Sequence, residues 1–191
     1  MAQIDFFAVG DIVTEPFIRL KDARVNCRIN NEDCEICMRW GDKIPYESST
    51  LVAAVGNASN AAVAAARLGL NSALRAYVGD DRYGKECLDV LNQEKVSTDY
   101  MVTEARKITN YHYALCYEEE RTILVKHEEY TYTAPELSES PKWVYLSSLA
   151  SNSLPYHGAL MELLAKHPET KLAFQPGTFQ MKLGREALKD I

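Results

Sequence analysis

Residues 56–84 read GNASNAAVAAARLGLNSALRAYVGDDRYG, and this stretch decides the fold. Asn57 to Leu68 is dense in alanine, the strongest helix former, and Gly69 follows as a stop. Its small side chains predict a helix lying close against a sheet. Ala73 to Val78 is a short apolar run that reads as a strand, with Gly79-Asp80-Asp81 as its turn. Gly84 to Gln93 reads as the next helix, because Cys87, Leu88 and Leu91 recur at helical spacing. Helix, strand and helix in succession predict a layered α/β fold with a mainly parallel sheet.

Working outward, Ile4 to Val13 is an apolar run that reads as a buried strand ending near Gly10-Asp11. Residues 16–50 carry the turn signals Pro16, Asn30-Asn31 and Gly41-Asp42 and no helical period, so short strands are expected there. Tyr111 to Tyr117 and Thr122 to His127 flank the polar tip Glu118 to Arg121 and read as a hairpin. The inserts at about 16–50 and 105–127 break the alternation and predict a separate small β-sheet. Trp143 to Leu149 suits a strand, Tyr156 to Lys166 a helix ended by Pro168, and Lys171 to Phe174 a short strand. Gly184 to Ile191 reads as the start of one more helix.

Composition narrows the function classes. Apolar residues make up 47% of the 191 and charged residues 25%, which argues for a globular domain and against disorder. The net charge of −6 supplies no basic footprint, so a nucleic-acid partner is not expected. Asn57, Ser59, Asn60 and Arg67 interrupt the most apolar segment, Leu51 to Leu70, so no membrane span is expected. The opening residues Met1 to Gly10 lack a basic leader, and the expected location is the cytoplasm. There the five cysteines are expected as reduced thiols. Cys34 and Cys37 form a Cys-x-x-Cys pair, and Cys27, Cys34 and Cys37 are candidate zinc ligands, but zinc wants four ligands and no second pair is present; Cys116, His112 or His127 would complete a site only if the two insert segments meet. Unpaired thiols in a β-insert are the alternative.

Two features point to chemistry. Gly56 to Asn60 opens the alanine-rich helix, where glycine admits a ligand close to the backbone and helix amides and asparagine side chains supply oriented hydrogen bonds. This suits a polyol; alternatively, Asn57 or Ser59 merely caps the helix. Tyr111, Tyr113, Tyr117, Tyr130 and Tyr132 read as a half-buried sheet face or, alternatively, as the lining of a substrate lid.

The spacing from Gly56 through Asn60 and Arg67-Leu68-Gly69 to Gly79 and Gly84 resembles the first signature of the ribokinase, or PfkB, family. Val9 to Glu15 resembles that family's first strand, and Thr109 to Thr122 resembles its lid. The resemblance implies an ATP- and Mg²⁺-dependent kinase of sugars, sugar phosphates or nucleosides, on a ribokinase-like layered fold with a small β-sheet lid. By position it implies that Glu15 holds substrate hydroxyls, where the family usually has aspartate, that Asn60 and Gly56 join it, and that Asp11 lies on the same strand end, where an Asp after a strand glycine alternatively only satisfies turn amides. The family's catalytic base and anion hole sit on a late Asp-Thr-x-Gly-Ala-Gly-Asp signature, and this chain has no such string. No two of its nine glycines lie closer than five residues, so it also lacks a clustered glycine cradle for phosphate.

The expectation is therefore the N-terminal, substrate-binding portion of such a kinase, residues 1–191, with the C-terminal nucleotide-binding part absent. No catalytic residue and no bound cofactor is expected within it. The expected partners are a sugar or nucleoside and either a second copy of the chain or a missing C-terminal half. A non-catalytic sugar-binding or regulatory module on the same fold is the competing expectation, and a metal-linked interaction protein using the cysteine insert is a further one.

Overall fold

The parallel sheet implied by the alternation is present in the computed structural model of the chain, which describes residues 3–28, 30 and 33–191. Met1 and Ala2 of the opening stretch and Asn31 of the Asn30-Asn31 turn signal lie outside the described residues. In chain order the strands are β1 (Phe6–Val9), β2 (Val13–Leu20), β3 (Arg24–Asn26), β4 (Glu35–Cys37), β5 (Tyr46–Val55), β6 (Ser72–Arg75), β7 (Tyr77–Gly79), β8 (Val102–Glu104), β9 (Tyr113–Tyr117), β10 (Glu120–Leu124), β11 (Trp143–Leu146) and β12 (Lys171–Phe174). The helices are α1 (Asn57–Arg67), α2 (Arg82–Gln93), α3 (Leu154–Ala165) and α4 (Thr178–Leu183). The chain divides into two units, one of residues 1–14, 53–110 and 127–191, the other of residues 15–52 and 111–126.

In the first unit four strands run parallel in the order β12-β11-β1-β6. Alternation along β1 explains the two cores. Ala8 faces the side that holds Leu74, Ala58, Ala62, Val78 and Leu91, whereas Phe7 and Val9 face Ala73, Val144, Leu146, Tyr156 and Leu160. Each fully buried leucine on these faces contributes roughly 1.5–3 kcal/mol. Alanine spacing sets the helix: Ala58, Ala62 and Ala65 lie on one buried stripe of α1. Their small size brings α1 so near β1 that a Cβ built on Gly10 would lie 2.7 Å from the Ala58 Cβ. Asp81 caps α2 by accepting from the Gly84 N–H at 2.9 Å.

The second unit is built on β10-β9-β2-β5, in which β9 and β10 form an antiparallel hairpin and β2 pairs with β9 in parallel. β3 and β4 form a separate antiparallel pair. No helix among the described residues is long and apolar enough to cross a membrane.

Several local expectations need correction. Pro16 lies inside β2 rather than in a turn. The hairpin tip is tighter than expected, since Tyr117 already pairs with Glu120, and Glu118 turns the chain at φ +53°. The last helix is misplaced in the sequence reading: α4 starts at Thr178, and Gly184 at φ +78° ends it. A single short turn at Glu186–Leu188 follows. Tyr130 and Tyr132 belong to no strand, so the sheet-face reading does not describe them: Tyr130 stacks on Tyr77, and Tyr132 stacks on Tyr156 and meets Tyr77 edge-on. Cys27 and Cys34 are joined in a disulfide, contrary to the expectation of reduced thiols throughout.

Candidate functional site

The site begins where β1 stops. Gly10 and Asp11 break the extended chain between β1 and β2, at the carboxyl end of the parallel strand. This is the edge at which open α/β sheets hold their ligands. The Asp11 N–H donates to the Ser148 carbonyl at 2.8 Å, and the Gly10 N–H donates to the Arg75 carbonyl at 3.2 Å. The break is thus pinned between β11 and β6, its two neighbours.

Gly56 lies over this break. Its φ of +115° and ψ of 158° belong to a region that glycine alone occupies comfortably. A Cβ there would also come within 2.8 Å of the Asp11 carbonyl oxygen. Gly56 is the N-cap of α1, and no side chain caps that end; Ser59 instead donates its hydroxyl to the Gly56 carbonyl at 3.1 Å. The plain capping alternative for Asn57 and Ser59 is therefore not what the structure has. Asn60 donates its backbone N–H to Gly56 at 2.9 Å, and its residue is exposed on the first turn of α1. Asp11, Gly56 and Asn60 thus gather in the first unit around the positive end of a helix. Glu15 belongs to the second unit.

Each of the two acids has an imidazole beside it. Asp11 Oδ2 lies 3.2 Å from His127 Nδ1, and Glu15 Oε1 lies 3.4 Å from His112 Nδ1. Asp11 and Glu15 are both buried, at 6% and 9% exposure. Burial pushes the Asp11 carboxyl up to about 8, because a charge taken out of water is costly.

Asn110 organises the segment around Asp11. Its carbonyl accepts from the Thr14 N–H at 3.0 Å, its Nδ2 donates to the Ile12 carbonyl at 3.4 Å, and its Oδ1 accepts from the Glu128 N–H at 2.7 Å. Next to it, Thr109 donates its backbone N–H and its hydroxyl to Asp81 at 3.0 and 2.6 Å. Burial pulls the Asp81 carboxyl upward, but the bonds from Thr109 and Gly84 outweigh it and hold the group below its ordinary value. His112 and His127 entered the sequence reading only as residues that could complete a zinc site, not as partners of the acids, and Asn110 and Thr109 were not singled out as site residues. The signal available was two histidines flanking the predicted hairpin, and histidine identity alone does not name a partner.

The cysteine candidates separate. The Cys27–Cys34 disulfide removes two sulfurs from any thiolate ligand set, leaving Cys37 as a free thiol. A cleft of about 590 Å³ lies in the second unit beside Cys34, lined by Val25, Ile36, Leu115, Tyr117 and Arg121. It includes none of Asp11, Glu15, Gly56 and Asn60.

The comparisons with known proteins bear on the family and the fold. Part of the chain is 37% identical over 70 residues to a fructokinase of Vibrio alginolyticus, covering 36% of this chain and 23% of that one. The fold is similar to the nucleoside kinase of Methanocaldococcus jannaschii, an archaeal member of the ribokinase family, with a TM-score of 0.71 and 13% identity over 100% of this chain and 58% of that one. It is also similar to a ribokinase of Cryptococcus neoformans solved in complex with ADP, with a TM-score of 0.63 and 21% identity over 92% of this chain and 50% of that one. The chain thus spans 58% and 50% of the length of these two solved structures. Residues 30–181 match the pfkB family carbohydrate kinase pattern, and the chain belongs to the pfkB family of carbohydrate kinases.

Proposed function

We propose that this chain is the substrate-holding portion of an ATP-dependent kinase that transfers a phosphoryl group to a hydroxyl of a sugar or nucleoside. The observation that carries the reading is the junction of Asp11, Gly56 and the uncapped start of α1, which offers carboxylate, amide and asparagine groups to a polyol. Asn60, exposed beside it, is the specificity group that donates and accepts toward adjacent hydroxyls. Glu15, which the family resemblance also gives as a hydroxyl acceptor, lies in the second unit with His112 beside it. The names of the similar proteins support fructose, ribose or a nucleoside as the substrate class.

ATP and Mg²⁺ belong to the complete enzyme in this reading. The residues of this chain do not fit a nucleotide site of their own: its glycines stand at least five residues apart, and among the described residues no three His, Cys, Asp or Glu side chains gather for a cation. The outer edge of β12 carries no strand partner among the described residues, which supports further strands joining the sheet there. The same spacing of glycines favours one second reading, a sugar-binding module without catalysis.

Calorimetric titration of the chain with D-fructose, D-ribose and adenosine tests the proposal. Binding of one of them is expected, and Asn60→Ala should weaken it several-fold, since each lost hydrogen bond is worth about 0.5–1.5 kcal/mol. The isolated chain should transfer no phosphate from ATP. Turnover by the pure chain, or indifference to all three probes, overturns the proposal. A longer form that binds sugar and ignores ATP selects the module instead.

A further inference from the structure

Asp11 is held tightly by its backbone and loosely by its side chain. Its N–H is fixed to Ser148, and its carbonyl lies under Gly56. Its carboxylate is buried, and Oδ2 has no conventional hydrogen bond; the imidazole of His127, 3.2 Å away, is the group beside it. A buried carboxylate in that position needs a proton or a cationic neighbour. His127 can give either, because its proton can lie on Nδ1 or be passed to Oδ2.

The placement of His127 is not incidental to the chain around it. Its neighbour Glu128 is tied by its N–H to Asn110 Oδ1, and Asn110 is tied in turn to Ile12 and Thr14 on either side of the break that bears Asp11. One asparagine therefore fixes the backbone beside the imidazole and the backbone beside the acid. The side-chain exposure of His127 is 28%, so the pair lies at the boundary of water rather than deep in the core.

We propose that His127 is a positioning residue for sugar binding: it occupies one oxygen of Asp11, fixes the carboxylate plane and leaves the other oxygen to accept a substrate hydroxyl. A carboxylate with one oxygen engaged cannot rotate to satisfy itself elsewhere, so its second oxygen meets the hydroxyl already oriented. The inference rests on the reading of Asp11 as a sugar ligand.

The test uses the full chain and calorimetric titration with D-fructose, D-ribose and adenosine. His127→Phe keeps the ring volume and removes Nδ1; it should weaken binding of the bound probe about ten-fold, the step between a charge-assisted and a neutral hydrogen bond. His127→Asn places an amide N–H near the lost Nδ1 and should return affinity to within about three-fold of the parent. In an Asp11→Asn background, His127→Phe should add little, because the group it positions is gone. The ¹⁵N resonance of His127 Nδ1 in the parent chain should move on Asp11→Asn, a signature that packing alone does not produce. Unchanged affinity in both His127 variants, full additivity with Asp11→Asn, or an unmoved Nδ1 resonance each overturns the inference while leaving the sugar site standing. A parent chain that binds none of the three probes overturns the sugar site and this inference with it.

Discussion

Replacing Gly56 with alanine should do more damage than replacing any other glycine of similar conformation, and the structure says by how much. The backbone at Gly56 sits at φ +115° and ψ 158°, where a side chain costs about 1–3 kcal/mol. The new Cβ would then meet the Asp11 carbonyl oxygen at 2.8 Å and Val13 Cγ1 at 3.3 Å. The first contact is with backbone pinned to Ser148, so relief requires α1 or the Asp11 break to shift. Together the two effects should cost about 2–4 kcal/mol, or roughly 5–15 °C in melting temperature for a chain of this size. Two other glycines serve as controls. Gly69 is also at positive φ, +88°, but has open space around the built Cβ, so Gly69→Ala should carry only the conformational part, about 1–2 kcal/mol. Gly158 lies within α3 with open space and ordinary helical backbone, so Gly158→Ala should stabilise by about 0.5–1 kcal/mol. Calorimetric melting and urea denaturation of the three variants give the ranking directly. A Gly56→Ala melt within a degree of the parent, or a loss no larger than that of Gly69→Ala, would refute the placement of Gly56 against Asp11.

Arg75 is buried and donates to Tyr100 O, Tyr77 Oη, Thr133 O and Thr133 Oγ1 at 3.1, 2.8, 2.6 and 3.0 Å, so Arg75→Met, which strands those acceptors, should cost about 3 kcal/mol or more in urea denaturation. The Asp81 carboxyl is held below its ordinary value, so its stabilisation is complete above about pH 4 and is lost as pH falls through the folded-state value; Asp81→Asn should flatten the acid limb of a melting-temperature profile. Asp11 acts in the opposite sense. Its folded-state value near 8 lies above the unfolded one near 4, so stability should fall between those pH values, and Asp11→Asn should raise the melting temperature at pH 8 while weakening sugar binding. The Cys27–Cys34 bridge closes a short loop, whose reduction should remove about 2.5 kcal/mol from the local stability of β3 and β4, read by hydrogen exchange, and should raise the alkylatable thiols of the denatured chain from three to five.

Much of the fold was legible because it is local. The alanine stripe of α1 and the spacing of Cys87 and Leu91 each declare their element within about ten residues, and the structure has both, whereas the run Ala73 to Val78 splits into β6 and β7 in different sheets and Gly79 still belongs to β7. The errors arose where one residue type carries two meanings. Gly184 can open or close a helix, and only its positive φ shows that it closes α4. Tyr130 and Tyr132 shared an alternating aromatic pattern with Tyr111 and Tyr113, but a loop folded onto Tyr77 and Tyr156 took them instead. The Cys-x-x-Cys spacing drew attention to Cys34 and Cys37, whereas the bridge forms from Cys27 across the β3–β4 turn. At the site, Gly56 and Asn60 were visible as a helix start. The imidazoles beside Asp11 and Glu15 were not, since each acid meets its partner from a segment about a hundred residues away.

Those two couples bear on why acids stand there at all. A residue needed only to turn the chain after β1 could be asparagine or serine, which satisfy turn amides without a charge to desolvate. Aspartate at position 11 instead makes the fold hold a group whose carboxyl burial drives toward neutrality, together with an imidazole and an asparagine bracket that keep it in place. Glu15 also has an imidazole beside it, that of His112. Stability alone gives no reason for such a burden at Asp11, and a ligand that needs a fixed carboxyl does. A polyol fits that need, because its hydroxyls donate to carboxylates and leave their own oxygens for the asparagine and amides at the start of α1. The instability stored at Asp11 is therefore itself part of the case for a sugar.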